Sequence, residues 1–153
     1  EVLLRDVDGL ARHVGDLLNN RRVVSLPPGS TVREAAARMK ASHVTSVVVT
    51  AGEDDRLEGI FTERDLTERV VAGGLDPDAT ALAAVMTPCP ITVDVDTSMR
   101  DALRRMFFNG LRHLPVVHDG RVVGILSMRD FMGEELAQLD REKELAESLT
   151  EVI

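Results

Sequence analysis

Two heptads hold the residues best suited to chemistry: Gly59-Ile60-Phe61-Thr62-Glu63-Arg64-Asp65 and, 65 residues later, Gly124-Ile125-Leu126-Ser127-Met128-Arg129-Asp130. Each reads Gly, two apolar residues, a hydroxyl residue, any residue, Arg, Asp, after a β-branched run and ahead of helix-forming sequence. A helix start offers free N–H groups and a positive dipole end to a phosphate, and the hydroxyl adds a donor. A carboxylate close by accepts two hydrogen bonds from a ribose diol, as the acidic residue of dinucleotide folds does. Arg64 and Arg129 would supply forked donors to phosphate oxygens. A structural role accounts for part of the same pattern, since Thr62-x-x-Asp65 and Ser127-x-x-Asp130 also read as capping boxes. Capping leaves Gly59, Gly124 and the recurring arginines unexplained. The residues alone leave the two readings level.

The elements that must position these heptads also occur twice. Val23-Val24-Ser25-Leu26 reads as a short strand stopped by Pro27-Pro28-Gly29. Thr31 and Glu34 then open a helix whose apolar face is Val32, Ala35, Ala36 and Met39. Val44-Thr45-Ser46-Val47-Val48-Val49 reads as a strand, the polar turn Gly52-Glu53-Asp54-Asp55 follows, and Leu57 to Phe61 pairs back as a hairpin. Thr62 opens a helix that fades at Gly73-Gly74.

In the second half a short helix over 79–86 answers 14–18, and Thr92 in Pro90-Ile91-Thr92-Val93 answers Ser25. Ser98 and Asp101 open a helix with the face Met99, Ala102, Leu103 and Met106. His113-Leu114-Pro115-Val116-Val117 answers Val44 to Val48, which sets Pro115 against Ser46 and puts His43 and His113 at equivalent edges. A tighter turn at Asp119-Gly120 leads into the second heptad. The unit is strand, helix, strand, strand, helix, present twice, and its function is expected at the duplicated heptads. A single unit of ~60 residues would be marginal alone, so the two are expected to pack strand face to strand face around a shared core.

Two flanking segments remain. Leu3, Val7, Leu10, Val14 and Leu17 form a narrow apolar helix stripe, which suits either packing on its own domain or a seam with a second subunit. At the other end Leu136, Leu139, Leu145 and Leu149 mark a charged helix.

Composition narrows the class of function. With 153 residues, 44% hydrophobic and 29% charged, the chain suits a soluble globular body of one or two small units. Four Phe, no Trp and no Tyr leave an aliphatic core and few base-stacking surfaces. A net charge of −8 opposes a general nucleic-acid or anionic-membrane surface. No apolar run approaches the ~20 residues of a membrane span. The single Cys89 forms no internal disulfide, which favours a reducing compartment. Four His and one Cys show no ligand spacing, so no metal is expected, and no nucleophile–base arrangement suggests catalysis. The opening Glu1 leads us to expect a longer parent protein.

With these marks in place the sequence resembles the tandem cystathionine-β-synthase-type (CBS) domains. The resemblance rests on the two Gly-apolar-x-Thr/Ser-x-x-Asp heptads, the His113-Leu114-Pro115-Val116-Val117 strand and the Val85-Met86-Thr87-Pro88 linker, and it covers residues 14–138. It implies an α/β (α+β) fold of two pseudo-twofold repeats packed through their sheets. The expected divisions are an N-terminal helix (1–13), repeat one (14–75), repeat two (76–138) and a helical tail (139–153). It also implies a non-catalytic, cytoplasmic regulatory module without an obligatory cofactor. Such a module would bind AMP, ADP, ATP or S-adenosylmethionine in clefts between the repeats, pair as a homodimer into a disc of four repeats, and act on an effector domain or protein. A dimerisation scaffold with vestigial pockets is the alternative.

Carried over by residue, one cleft would use Ile125, Ser127, Arg129 and Asp130 with Ser25, Ser42, His43 and Val44. The other would use Ile60, Thr62, Arg64 and Asp65 with Thr92, Leu111, Arg112 and His113. Arg112 and His113 make the clefts unequal and would favour multiply charged nucleotides.

Overall fold

The β-branched runs become hairpins, and the apolar helix faces close over them. The computed structural model describes residues 13–18, 23–88, 91–131 and 142–149. In chain order these form α1 (Val14–Leu17), β1 (Ser25–Leu26), α2 (Val32–Ser42), β2 (Ser46–Ala51), β3 (Arg56–Thr62) and α3 (Glu63–Asp65), which runs on as a π-helical turn, Leu66–Val71. The linker supplies α4 (Leu82–Val85) and β4 (Thr87–Pro88). The second unit is β5 (Val93–Asp94), α5 (Met99–Phe108), β6 (His113–His118), β7 (Arg121–Ser127) and a 3-10 turn, Met128–Asp130.

In each unit a parallel pair flanks an antiparallel hairpin: β1-β2-β3 and β5-β6-β7. The two sets meet along the β3 and β7 edges at the Arg56–Arg121 pairing, giving the order β1-β2-β3-β7-β6-β5 with β4 added to β3. Thr31 and Ser98 cap the long helices through the N–H groups of Glu34 and Asp101, as their spacing predicts.

Two apolar clusters form, one per unit, where the sequence suggested a shared core. The first gathers Val32, Ala35 and Met39 of α2 with Val47, Val49 and Phe61 of the hairpin. The second gathers Met99, Ala102, Leu103 and Met106 of α5 with Leu114, Val116 and Leu126. Ala36, expected on the α2 core face, is half-buried.

The short helices are exchanged between units. Val14 of α1 is buried in the second cluster, and Leu82 and Val85 of α4 are buried in the first. The backbone repeats the exchange: Gly15 N–H donates to Val95 O at 3.0 Å, and Ala83 N–H donates to Pro28 O at 3.0 Å. Val14 and Leu17, the end of the N-terminal stripe, therefore pack within the chain. Leu3, Val7 and Leu10 lie outside the described residues, as do Leu136 and Leu139. Residues 142–149 are helical, with Leu145 and Leu149 exposed.

Strand register corrects the expected alignment of the repeats. Ser46 pairs with Thr62, and His113 pairs with Ser127. The backbone agrees, since Glu63 N–H donates to Thr45 O and Met128 N–H donates to Arg112 O, both at 3.0 Å. Arg112-His113 thus corresponds to Thr45-Ser46, and Pro115 corresponds to Val48 rather than Ser46. His43 answers Gly110, not His113, and both take a left-handed backbone after the long helix, with φ of 55° and 65°. The offset is 67 from Ser46 to His113 and 65 from Gly59 to Gly124. The whole difference lies in the hairpin turn, four residues after Ala51 but only Asp119-Gly120 after His118. Surface turns absorb such changes without disturbing pairing, and positive φ at both Asp119 and Gly120 suits a two-residue hairpin.

The helix after Thr62 is not uniform. The Thr67 hydroxyl donates to Glu63 O at 3.1 Å, a bond that loosens the regular ladder. Ala72 N–H then reaches Thr67 O at 2.9 Å, five residues back. Among the described residues no helix is long and apolar enough to cross a membrane.

Candidate functional site

A cavity of about 620 Å³ opens between the two units, well within the range of small-molecule sites. The first unit contributes Thr45, Ile60 and the stretch Thr62 to Asp65. The second contributes Ile91, Gly110, Leu111, Arg112, His113, Ser127 and Met128, and the linker adds Thr87 and Pro88. Seven of the eight residues expected around Asp65 are therefore brought together: Ile60, Thr62, Arg64, Asp65, Leu111, Arg112 and His113. Thr92 is not in the lining. Its carbonyl accepts from Arg105 Nη1 at 3.0 Å, and Ile91 reaches the cavity in its place.

The capping box at Thr62 is realised in full. Asp65 Oδ2 accepts from Thr62 N–H at 2.9 Å and from the Thr62 hydroxyl at 3.1 Å, while Asp65 N–H donates back to Thr62 Oγ1 at 3.2 Å. Oδ1 keeps acceptor capacity, with Arg69 Nε 3.7 Å away. The Asp65 carboxylate is 13% exposed, so it is pinned by the cap yet reachable from the cavity.

Arg64 sits at the rim. Its Nε donates to Glu68 Oε1 at 2.9 Å, and that hydrogen bond, followed by the attraction of the carboxylate charge, holds the guanidinium pKa above its ordinary value. Both side chains are 60% exposed, so the pair contributes little to stability.

Across the cavity, Thr45 Oγ1 and His113 Nε2 lie 2.6 Å apart, a part-buried hydrogen bond between the first unit and the second. Thr45→Val keeps the shape and removes the hydroxyl. The expected loss is about 0.5–1.5 kcal/mol, read as a lower urea midpoint with an unchanged slope.

The second heptad builds the matching cap, with Ser127 N–H donating to Asp130 Oδ2 at 2.7 Å. The residues assigned to its cleft are placed less completely. Ser25 is exposed on β1, Ser42 and Val44 are half-buried near the end of α2, and His43 is exposed beyond it. Ile125 is half-buried on β7. The Arg129 side chain lies outside the description. Ser127, expected at this cleft, also lines the cavity around Asp65, because β7 runs against β3 at the centre of the sheet.

Sequence reasoning missed Thr45, Glu63, Ile91, Gly110, Met128, Thr87 and Pro88. Thr87 and Pro88 could have been found, because the linker motif lies beside the heptad it covers: Gly59 pairs with Pro88 and Ile60 with Thr87. The glycines that capping left unexplained are explained here. A Cβ on Gly59 would lie 2.7 Å from Met86 Sδ and 2.7 Å from Thr87 O, and one on Gly124 would lie 2.6 Å from Leu18 Cδ1. Each glycine lets the exchanged segment cross its strand. Among the described residues no group of three or more His, Cys, Asp or Glu is placed to hold a metal.

Comparison with known proteins agrees with this architecture. The CBS domain family matches residues 14–72 and 82–136, and the chain belongs to that family. Among relatives, the CBS domain-containing protein CBSCBSPB3 of Arabidopsis thaliana is 33% identical over 132 residues, which cover 86% of this chain and 24% of that protein. The chain thus spans about a quarter of the length of that relative. Among solved structures, a CBS domain protein from Pyrobaculum aerophilum complexed with AMP is 33% identical, with a TM-score of 0.73 over 84% of this chain and 96% of that one. A putative signal-transduction protein with CBS domains from Burkholderia ambifaria is 25% identical, with a TM-score of 0.71 over 77% and 89%.

Proposed function

We propose that this chain is a regulatory module that binds an adenosine-containing ligand, AMP, ADP, ATP or S-adenosylmethionine, in the cavity between its two CBS repeats. The observation that carries this reading is a single cavity with Thr62, Asp65 and Ile60 on one wall and Arg112 and His113 on the other. The apolar residues suit a flat ring, Asp65 Oδ1 suits a diol, and the arginines suit phosphate. The Pyrobaculum relative, crystallised with AMP, supports the ligand class.

Because the walls belong to different repeats, a bound ligand favours one relative angle of the repeats and so changes the surface shown to an effector. The module acts in the cytoplasm as a homodimer of four repeats. The cleft of Ser25, Ser42, His43, Val44, Ile125, Ser127, Arg129 and Asp130 is a second ligand position.

The completed capping boxes favour one alternative, a ligand-free interaction scaffold in which both heptads serve only the fold. A thermal-shift screen separates the two. A ligand at 100 times its Kd adds about 2.7 kcal/mol, a rise on the order of 5–10 °C at this chain length. The expected result is such a rise with at least one adenosine compound, lost in Asp65→Ala. No rise with any of the four, together with an Asp65→Ala cost of only the ~1 kcal/mol of a helix cap, would establish the scaffold.

A further inference from the structure

We propose that Arg69 is a positioning residue of the cavity: it fastens the linker between the repeats to the helical segment that carries Asp65, so that two walls of the site stand or move together. This rests on the ligand-binding reading above and adds the residue that keeps those walls in register. Arg69 is outside the cavity lining, so it acts through the groups it holds and not on the ligand.

Arg69 Nη1 donates to Val85 O at 2.9 Å and to Met86 O at 3.0 Å. Both carbonyls stand at the C-terminal end of α4, where no further helical turn satisfies them. A guanidinium suits them in charge and in its spread of donors. Arg69 Nε stands 3.7 Å from Asp65 Oδ1, an ion pair too long for a hydrogen bond. In a regular α-helix a residue four places on stacks beside its partner. Arg69 lies within the π-helical turn Leu66–Val71, whose wider winding breaks that stacking. The guanidinium thereby spans from Asp65 to the linker instead of closing on Asp65 alone.

The residues that follow the two carbonyls form β4, where Thr87 pairs with Ile60 and Pro88 with Gly59. Thr87, Pro88 and Ile60 line the cavity together with Thr62 and Asp65. β4 is only Thr87–Pro88, and Pro88 has no N–H to donate, so strand pairing alone is a weak hold. Arg69 supplies the second hold, on the residue just before the strand. The device belongs to one repeat. Four residues after Asp130 stands Glu134, so the second repeat has a carboxylate where the first has Arg69.

The test pairs hydrogen exchange of segment 82–88 in the ligand-free full chain with calorimetric titration by AMP, ADP, ATP and S-adenosylmethionine. The variants are Arg69→Gln, Arg69→Lys and Ser98→Ala. Ser98→Ala removes the cap of α5, lies outside the cavity lining, and controls for a general loss of stability. Arg69→Gln is expected to exchange 82–88 about tenfold faster and to bind the tightest of the four compounds about tenfold more weakly, the scale of one lost hydrogen bond to a charged group. Arg69→Lys, which reaches a carbonyl but lacks the fork, should fall between in both readings, and Ser98→Ala should match the wild type in both. Unchanged exchange in Arg69→Gln, faster exchange with unchanged affinity, or both losses in Ser98→Ala would overturn the proposal and leave ligand binding standing. Should Arg69→Gln not fold, an Arg69→Lys chain that matches the wild type in both readings overturns it. Absence of binding of all four compounds by the wild type would instead bring down the ligand reading, and this proposal with it.

Discussion

Phe61→Ala is expected to destabilise the chain by about 3–5 kcal/mol, the range for truncating a buried aromatic. Phe61 is fully buried on β3, where it pairs with Val47 and packs in the cluster that holds α2 and α4 to the first hairpin. Only four Phe occur in the chain, and its neighbours here are Val, Ala, Leu and Met. No adjacent aromatic can swing in to refill the space, and β-branched strand residues are stiff about χ1. Against a typical stability of about 5–15 kcal/mol, such a loss leaves a marginal fold. Urea unfolding followed by circular dichroism checks it. A loss under ~1.5 kcal/mol would mean that the cluster is not closely packed around Phe61.

The same residue shows why the fold was legible in the sequence. Phe61 stands between Gly59 and Asp65 in a heptad repeated as Gly124 to Asp130, so the recurrence revealed both hairpins at once. Helix faces were legible too, since Met99, Ala102, Leu103 and Met106 recur at helical spacing and all prove buried. Alignment within the repeat was harder. Val44 to Thr50 is a nearly continuous β-branched run, and a two-residue slide along it keeps the same residues on the same face. The slip belonged in the hairpin turn, and only cross-strand pairing shows that.

The exchange of α1 and α4 between repeats was hidden for a different reason. Val14 and Leu82 need an apolar face, but no local pattern says whose face covers them. The site was partly legible, because the heptad and the Leu111-Arg112-His113 stretch were each visible as sequence. The Thr45–His113 bond spans 68 residues and depends on the packing of two units, which no local pattern shows.

Gly59→Ala is the second large expected effect, and its contrast with Gly124→Ala makes it diagnostic. A methyl group at Gly59 would meet backbone as well as side chain, with Thr87 O at 2.7 Å and Met86 Cγ at 3.0 Å. The carbonyl belongs to β4, which pairs with β3 at this point, so relief requires the linker to lift from the strand. At Gly124 the nearest atoms are the methyl groups of Leu18, which can turn aside. The expected cost of Gly59→Ala is about 1–3 kcal/mol, that of an overpacked site, and Gly124→Ala should cost distinctly less. Thr87 and Pro88 also line the cavity, so lifting β4 should weaken ligand binding as well as stability. Paired urea titrations with and without AMP read both effects. Equal costs at the two glycines would show that the linker crosses β3 no more tightly than Leu18 covers β7, and the symmetry of the two repeats would then extend to the segments that cross them.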